Sequence, residues 1–398
     1  MEPQVAWSGN GNLKDQFAYT EFSLIAMFLR FSGIHISSSR RQSSSCAIVY
    51  TGIAASILIT CFIFIMTEIL FCGVTNYVDA SVVAFNVFVL IISCILWIIV
   101  FRRKHLFVLL VEGLIDTHVS LSVISNSNLR RNVLAICCYI CFMPILTSLP
   151  NLLAIQEESL QFYLHCYLYG FELPDFSYYG KVAMLLVFLT VENFVHFFFP
   201  NVVVVLIFFL CEYQHQAVVA YTKAWPRQLM DDMQNAKSGK MVELYSKLRK
   251  DFVRLRDLTS LPILLILTQK FLTLFFSLTV LLSNGTRRIF IEVIESTFFA
   301  ANAIFALILI ILSASKIQEE HRKIRELCLN ASLKLREKSS DSECLWLLAL
   351  LKSFVEREDM TMTAAGIVPL KRSLFLKLGA SLVTYGVIIV QLDSTKKN

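Results

Sequence analysis

The sequence is short of charge, glycine and proline. Of its 398 residues only 17% are charged, and it contains 13 glycines and 8 prolines. An ordinary soluble domain is about one quarter charged. Hydrophobic residues make up 56% of the chain, and 32 of them are phenylalanines. This composition argues against a soluble domain and is typical of a polytopic, all-α membrane protein.

Several other signatures are missing as well. The first 45 residues contain no short apolar run behind a basic start, so we expect no cleavable signal peptide. The eleven cysteines lie mostly inside apolar runs and form no CxxC pair with metal-binding spacing. We therefore expect no metal and no cofactor. A disulfide between Cys72 and Cys166 stays open. No Ser-His-Asp set or HExxH motif is recognisable, so we expect no enzyme.

Seven apolar segments are long enough to cross a bilayer, which takes about 20 residues of helix. Lipid offers the backbone no hydrogen-bond partners, so each of them must be helical. The predicted spans are 46–72, 80–101, 132–154, 183–211, 257–283, 289–314 and 373–392.

The distribution of lysine and arginine orients these spans. The N-terminal segment and the loops that follow the second, fourth and sixth spans carry twenty-nine of these residues, whereas the opposite side carries five. The positive-inside rule places the basic side in the cytoplasm. We therefore predict a cytoplasmic N-terminus and an extracellular C-terminus. The net charge of +6 then reflects topology and not nucleic-acid binding. Asn284 begins a glycosylation sequon in a loop that this topology puts outside.

The long internal loops have helical periodicity. Apolar residues recur at three- and four-residue steps after residues 241 and 317, which predicts amphipathic helices that continue the fifth and sixth spans into the cytoplasm. A third such helix is predicted at 343–355, and its wide apolar face fits either a small bundle or a subunit interface. The predicted organisation is a cytoplasmic segment (1–45), a six-helix region with a cytoplasmic extension (46–314, with 212–256), cytoplasmic anchor helices (315–372), and a last helix with a short tail (373–398).

The end of the chain carries a short motif. Thr384 and Tyr385 are followed by five apolar residues and then by Gln391 and Leu392. This pattern resembles the Thr-Tyr-x5-Gln-Phe signature that closes the last span of insect gustatory receptors, with leucine in place of phenylalanine. The upstream residues Ala365 and Gly366, the chain length and the reversed seven-span topology resemble that family too.

The resemblance implies a tastant-gated, non-selective cation channel in the plasma membrane of sensory neurons. It implies a homo- or hetero-tetramer in which the seventh helix of each subunit lines a central pore, and an outer pocket among the first six helices that binds a small-molecule tastant. The internal helices would form the anchoring interface between subunits.

A helical projection places the polar and aliphatic residues of the motif on one stripe. Thr384, Ile388 and Gln391 fall within about 60° of one another, with Leu392 at their edge. Such a stripe suits a pore wall, because an aliphatic ring can exclude water and close the pore. The alternative is that Gln391 marks the membrane interface and that Thr384 bonds the carbonyl one turn earlier. Lys377 shares the face, where a ring of lysines would repel cations unless the side chains reach the cytoplasmic boundary.

Polar residues within the membrane are the candidates for ligand contact. These residues are Glu192, His196, Lys270 and Glu295. The alternative for Lys270 is a structural ion pair with Glu192.

Two further functions stay open. An insect odorant receptor subunit would share the topology. A secondary transporter would show inverted repeats with paired broken helices, and we see no such repeat between the two halves.

The predicted topology can be tested with tags. An epitope tag after Asn398 should bind antibody on intact cells, because the last span ends outside. A tag inserted after Lys237 should stain only after permeabilisation. Immunofluorescence that detects the C-terminal tag only in permeabilised cells would contradict the predicted orientation.

Overall fold

The structure is a computed structural model, and it describes most of the predicted membrane region. Apart from a few isolated residues, the described ranges are 62–67, 80–121, 127–153, 177–193, 198–235, 239–282, 290–338 and 359–395. Asn284, Cys72, Cys166 and most of the predicted helix at 343–355 lie outside these ranges, so the predictions made for them stay predictions.

The described residues form seven long helices and one small hairpin. The helices, in chain order, are α1 (Ala80–Ser120), α2 (Ser127–Leu153), α3 (Tyr178–Asn193), α4 (Phe199–Asn235), α5 (Gly239–Leu282), α6 (Phe290–Lys338) and α7 (Ser373–Thr395). Strands β1 (Thr363–Ala364) and β2 (Val368–Pro369) pair antiparallel just before α7.

Five of these helices, α1, α4, α5, α6 and α7, are long and apolar enough to cross a membrane. This confirms a helical, multi-pass membrane protein. The predicted span 183–211 falls on two described helices, α3 and α4. The predicted span 132–154 corresponds to α2, which has a shorter apolar stretch, and the predicted span 46–72 is described mainly at 62–67, which is helical.

The core lies where α4, α5 and α6 pack together, with α1 against α4 and α5. Helix α4 is the most enclosed element, and its residues 199–214 are all buried. Such all-round burial matches its nearly continuous run of valine, leucine, isoleucine and phenylalanine, because a helix that is apolar on every side needs neighbours on every side.

Helices α5 and α6 continue far beyond a bilayer, as their periodicity predicts. They contain 44 and 49 residues, or about 66 and 74 Å at 1.5 Å per residue, against a hydrocarbon core of about 30 Å. Outside the apolar spans they are joined by a bond between the Tyr245 hydroxyl and Nε2 of His321 (2.9 Å). Both spans therefore continue as helices, and the cytoplasmic location of these extensions stays a prediction.

Helix α1 extends further than the sequence led us to expect. The basic run after residue 101 reads as the start of a loop, yet α1 continues to Ser120. Phe107, Leu110 and Leu114 in this extension are buried, and their spacing of three and four residues places them on one helix face. This stripe was the signal that the charged residues obscured.

The segment before α7 is a hairpin, although it falls in the range (315–372) predicted to hold anchor helices. Ala364 and Val368 pair across it, and the Ile367 amide donates to the Ala364 carbonyl at 3.0 Å. Two of the three residues between this pair have positive φ, 51° at Ala365 and 72° at Gly366. Glycine adopts this conformation at little cost.

The hairpin also fixes the direction of α7 relative to α5. The Ala365 amide donates to the Ser260 carbonyl at 3.0 Å, and near the other end the hydroxyl groups of Tyr385 and Thr279 are 3.1 Å apart. Residue numbers rise together along the two helices, so α5 and α7 run parallel. This agrees with a single returning span, α6, between them.

Gly113 is a point of close approach between α1 and α5. A Cβ built at Gly113 would lie 2.8 Å from Oδ1 of Asp251. Asp251 is buried and held in place by the Thr117 hydroxyl, which donates to its Oδ2 at 2.6 Å. The carboxylate therefore has little room to move away.

We expect Gly113→Ala to destabilise the protein by about 1–3 kcal/mol, because the added methyl group overpacks this contact. The exposed Ser120→Ala change on the same helix should stay within about 0.5 kcal/mol. Thermal unfolding of the detergent-solubilised variants measures both effects. Equal melting temperatures for Gly113→Ala and the unchanged protein would contradict the close contact.

Candidate functional site

A chain of hydrogen bonds joins three helices inside the apolar core. Nζ of Lys270 on α5 donates to Oδ1 of Asn201 on α4 at 3.0 Å. Nδ2 of Asn201 then donates to Oδ1 of Asn302 on α6 at 3.1 Å. These side chains are only 1–3% exposed. We call Lys270, Asn201 and Asn302 the core polar cluster.

The core polar cluster lies near the middle of the apolar part of α5. Lys270 is about 18 Å from Leu282 and about 15 Å from Ser260 at 1.5 Å per residue. The neighbouring Gln269 bonds a different helix, since its Nε2 donates to the Ser93 hydroxyl of α1 at 3.2 Å. Adjacent polar residues on α5 therefore reach two different neighbours at one depth.

The four residues predicted to contact a ligand have different outcomes. Lys270 is buried, and within the described residues its partner is Asn201. Glu295 on α6 is partly exposed and engages a neighbouring group. Glu192 lies on α3, but its side chain is outside the described part of the structure, and so is all of His196. The predicted pairing of Lys270 with Glu192 therefore stays untested.

Asn201 was not among the residues predicted from the sequence to contact a ligand. It follows Pro200 in a run that is otherwise apolar. A lone amide within a membrane span was a usable signal, because a polar group there needs an internal partner. Its two partners, on α5 and α6, could be identified only from the packing.

Helix α7 presents the residues predicted to line a pore on its exposed side. Thr384, Ile388 and Gln391 are exposed, whereas the Leu392 side chain lies outside the described residues. The Thr384 hydroxyl donates to the Ala380 carbonyl at 2.9 Å, as the alternative interpretation anticipated. The hydroxyl oxygen keeps its capacity to accept a further bond.

The other side of α7 contacts α5. Leu378, Leu382 and Tyr385 are less exposed than their neighbours, and the two leucines pack against the main core. Their spacing of four and three residues defines one face of the helix. One face of α7 therefore packs against the bundle and the opposite face is exposed, although the helix is apolar nearly throughout.

Tyr385 forms a joint between α5 and α7, which we call the outer joint because the predicted topology puts this end of α7 outside. Its hydroxyl lies 3.1 Å from the Thr279 hydroxyl, and its ring meets Phe275 edge-on with ring centroids 4.6 Å apart. The next residue, Gly386, lets Leu278 and Leu282 approach closely, at 3.6 and 3.4 Å from a Cβ built on it. The two helices thus contact through an aromatic and hydrogen-bonded joint.

A second joint, which we call the inner joint because the predicted topology puts it inside, holds the start of α7 to α6. Arg325 and Asp359 form an ion pair at 2.6 Å, and Arg372 and Glu319 form one at 2.8 Å. Both pairs are partly exposed, so each contributes little by itself. Together with the bond from the Ala365 amide to α5, they tie the segment between α6 and α7 to both helices.

Solved structures share this arrangement of helices. The insect olfactory receptor OR5 from Machilis hrabei in complex with eugenol matches with a TM-score of 0.68 and 13% sequence identity, over 95% of this chain and 100% of that chain. The same receptor, in a second structure, matches with a TM-score of 0.64 and 14% identity, over 96% and 99%. No protein-family model and no curated protein matches the sequence.

At such low identity the likeness concerns the fold. The chain has the fold of these insect olfactory receptors along nearly its whole length. The resemblance to insect chemoreceptors that the last span indicates is confirmed at this level.

The joint at Tyr385 can be tested by a double-mutant cycle. Tyr385→Phe and Thr279→Val should each destabilise the protein by about 0.5–1.5 kcal/mol, because each removes the same hydrogen bond. The double variant should lose less than the sum, since the second change has no bond left to break. Chemical or thermal unfolding gives the four free energies, and strict additivity would show that the two hydroxyl groups do not interact.

Proposed function

We propose that the protein is a subunit of a ligand-gated, non-selective cation channel that detects a small molecule. The observation that carries this proposal is the placement of α7 in a receptor fold. In the most apolar 18-residue stretch of α4, 83% of the residues are buried, whereas in the corresponding stretch of α7 only 6% are buried. A long apolar helix left on the outside of its own bundle is available to contact other copies of the chain.

Four copies arranged about a central axis would place the exposed stripe of α7 around a shared pore. Ile388 would supply an aliphatic ring that closes the pore by excluding water. Thr384 and Gln391 would supply polar rings on either side. Leu376 and Val383 are 78% and 68% exposed, and they would pack against the neighbouring subunits. Lys377 is exposed near the inner end of α7, where its side chain can extend toward the cytoplasmic boundary.

Helix α5 would carry the signal from ligand to pore. It holds Lys270 in the core polar cluster and Thr279 in the outer joint, about 14 Å apart along one rigid helix. A ligand that shifts α5 would shift Tyr385, and with it the outer half of α7. The inner joint would stay in place as the fixed end of the movement.

The terminal motif favours a gustatory receptor. Thr384, Tyr385 and Gln391 occupy the spacing of the gustatory signature, which supports a tastant as ligand and a location in the plasma membrane of sensory neurons. The alternative is an odorant receptor, which is supported by the fold of an olfactory receptor that binds eugenol. Both alternatives require a channel that a small molecule opens.

Current recording tests the proposal. Oocytes that express the chain should pass inward cation current when a panel of sugars, bitter compounds and volatile phenols such as eugenol is applied. The current should persist when G-protein signalling is blocked, because the receptor is itself the channel. Ligand uptake without current would favour a transporter and contradict the proposal.

Cysteine substitution tests the pore face. Thr384→Cys, Ile388→Cys and Gln391→Cys should each lose current after treatment with a charged thiol reagent, because the reagent would enter the pore. Leu382→Cys is the matched control, since Leu382 lies on the α5-facing side and should stay protected. Equal sensitivity at all four positions, measured as the rate of current loss, would count against the assigned face.

A further inference from the structure

The hydrogen bonds of the core polar cluster can run in only one direction. A lysine ammonium has donors and no acceptor, so the Asn201 atom beside Nζ must be the carbonyl oxygen. Nδ2 of Asn201 then faces Asn302 and must donate to its Oδ1. This leaves Nδ2 of Asn302 as the last donor in the chain.

That last donor has no acceptor within the described residues. Nδ2 of Asn302 is inaccessible to solvent and makes no hydrogen bond. Lys270 has two further N–H groups and no carboxylate partner in the part of the chain that the structure describes. The cluster therefore offers unused donors from α5 and α6, while Oδ1 of Asn201 and Oδ1 of Asn302 each already accept one bond.

The ammonium form of Lys270 would also lack a counter-charge among the residues that the structure describes. A buried ammonium is expensive in an apolar medium unless an anion accompanies it. Asn201 and Asn302 supply dipoles but no negative charge. Water could accept hydrogen bonds from these donors, but it would leave the positive charge without a counter-charge.

We propose that Lys270, Asn201 and Asn302 form the recognition site for a small anion, with a carboxylate on an otherwise apolar ligand as its natural form. The carboxylate would pair with the ammonium and accept the bond from Nδ2 of Asn302. The apolar core around it would favour an aliphatic or aromatic remainder. The inference rests on the proposed function only in treating this anion as the gating ligand.

Selectivity follows from the donors. A neutral alcohol could accept a hydrogen bond but would leave the charge unpaired, and an amine would add a second cation. Carboxylates should therefore bind better than alcohols or amines of the same carbon skeleton. Chloride carries the same charge as a carboxylate and is an inorganic anion that could occupy the site.

Binding to the purified full-length receptor tests this site directly. Hexanoate, hexanol and hexylamine would be compared by thermal stabilisation in a low-salt zwitterionic buffer, with chloride as a separate arm. Hexanoate should stabilise the receptor most, and Lys270→Met should weaken its binding by about tenfold or more. Asn302→Leu should weaken it too. Thr268→Val, an exposed change two residues away on α5, should leave it unchanged.

The outcomes separate the alternatives. Stabilisation by hexanoate that depends on Lys270 supports an organic anion, and stabilisation by chloride alone that depends on Lys270 supports an inorganic one. No anion effect, or an effect that survives both Lys270→Met and Lys270→Gln, overturns the proposal. One further result would overturn the proposal. If Glu192→Gln destabilises the ligand-free receptor as much as Lys270→Met does, and the double variant loses no further stability, Glu192 is the internal counter-ion of Lys270.

The same data distinguish this inference from the channel function. Current evoked by neutral ligands, together with no anion binding, would reject the anion site and leave the channel intact. Hexanoate binding that depends on Lys270, with no current from any ligand, would retain the site and reject the channel.

Discussion

The structure depends on the polar contacts of α5, because this helix crosses an apolar region where an unpaired polar group is costly. Gln269 bonds α1 and Lys270 bonds α4, while Ser260 accepts a bond from the hairpin. Beyond the apolar span, Tyr245 bonds α6. Each bond fixes a neighbour in both position and register. A displacement of α5 would therefore disturb all of these neighbours.

Helix α7 stands in a different relation to the bundle. One face is held at two joints, at the hairpin and at Tyr385, and the opposite face is exposed. Between the joints, Leu378 and Leu382 pack against the main core. Dispersion contacts have little directional preference, so sliding or rotation of α7 along this face would cost less than breaking a joint. Two fixed joints with weaker contacts between them suit a helix that moves while the core stays intact.

How well the sequence predicted each feature depended on whether the deciding interaction was local. The last helix was expected at 373–392 and is observed from Ser373, because its apolar run is bounded by charged residues on its inner side. The hairpin before it was not expected. Its turn, with Ala365 and Gly366 at positive φ, forms against the Ser260 carbonyl, which lies about a hundred residues earlier. The helical extension of α1 was hidden for a similar reason, since its apolar stripe is interpretable only once α4 and α5 are in place.

By itself the sequence determined that the chain is a helical membrane protein. It also located the spans at 80–101, 257–283, 289–314 and 373–392, and it placed Thr384, Ile388 and Gln391 on one stripe. Composition and helical periodicity suffice for this, because lipid permits few backbone conformations. Only the tertiary structure decided that Lys270 bonds Asn201, that Asn302 ends the chain of donors, and that Tyr385 faces Thr279. These contacts join residues that are far apart in the chain, and a periodic pattern carries no information about which buried faces meet.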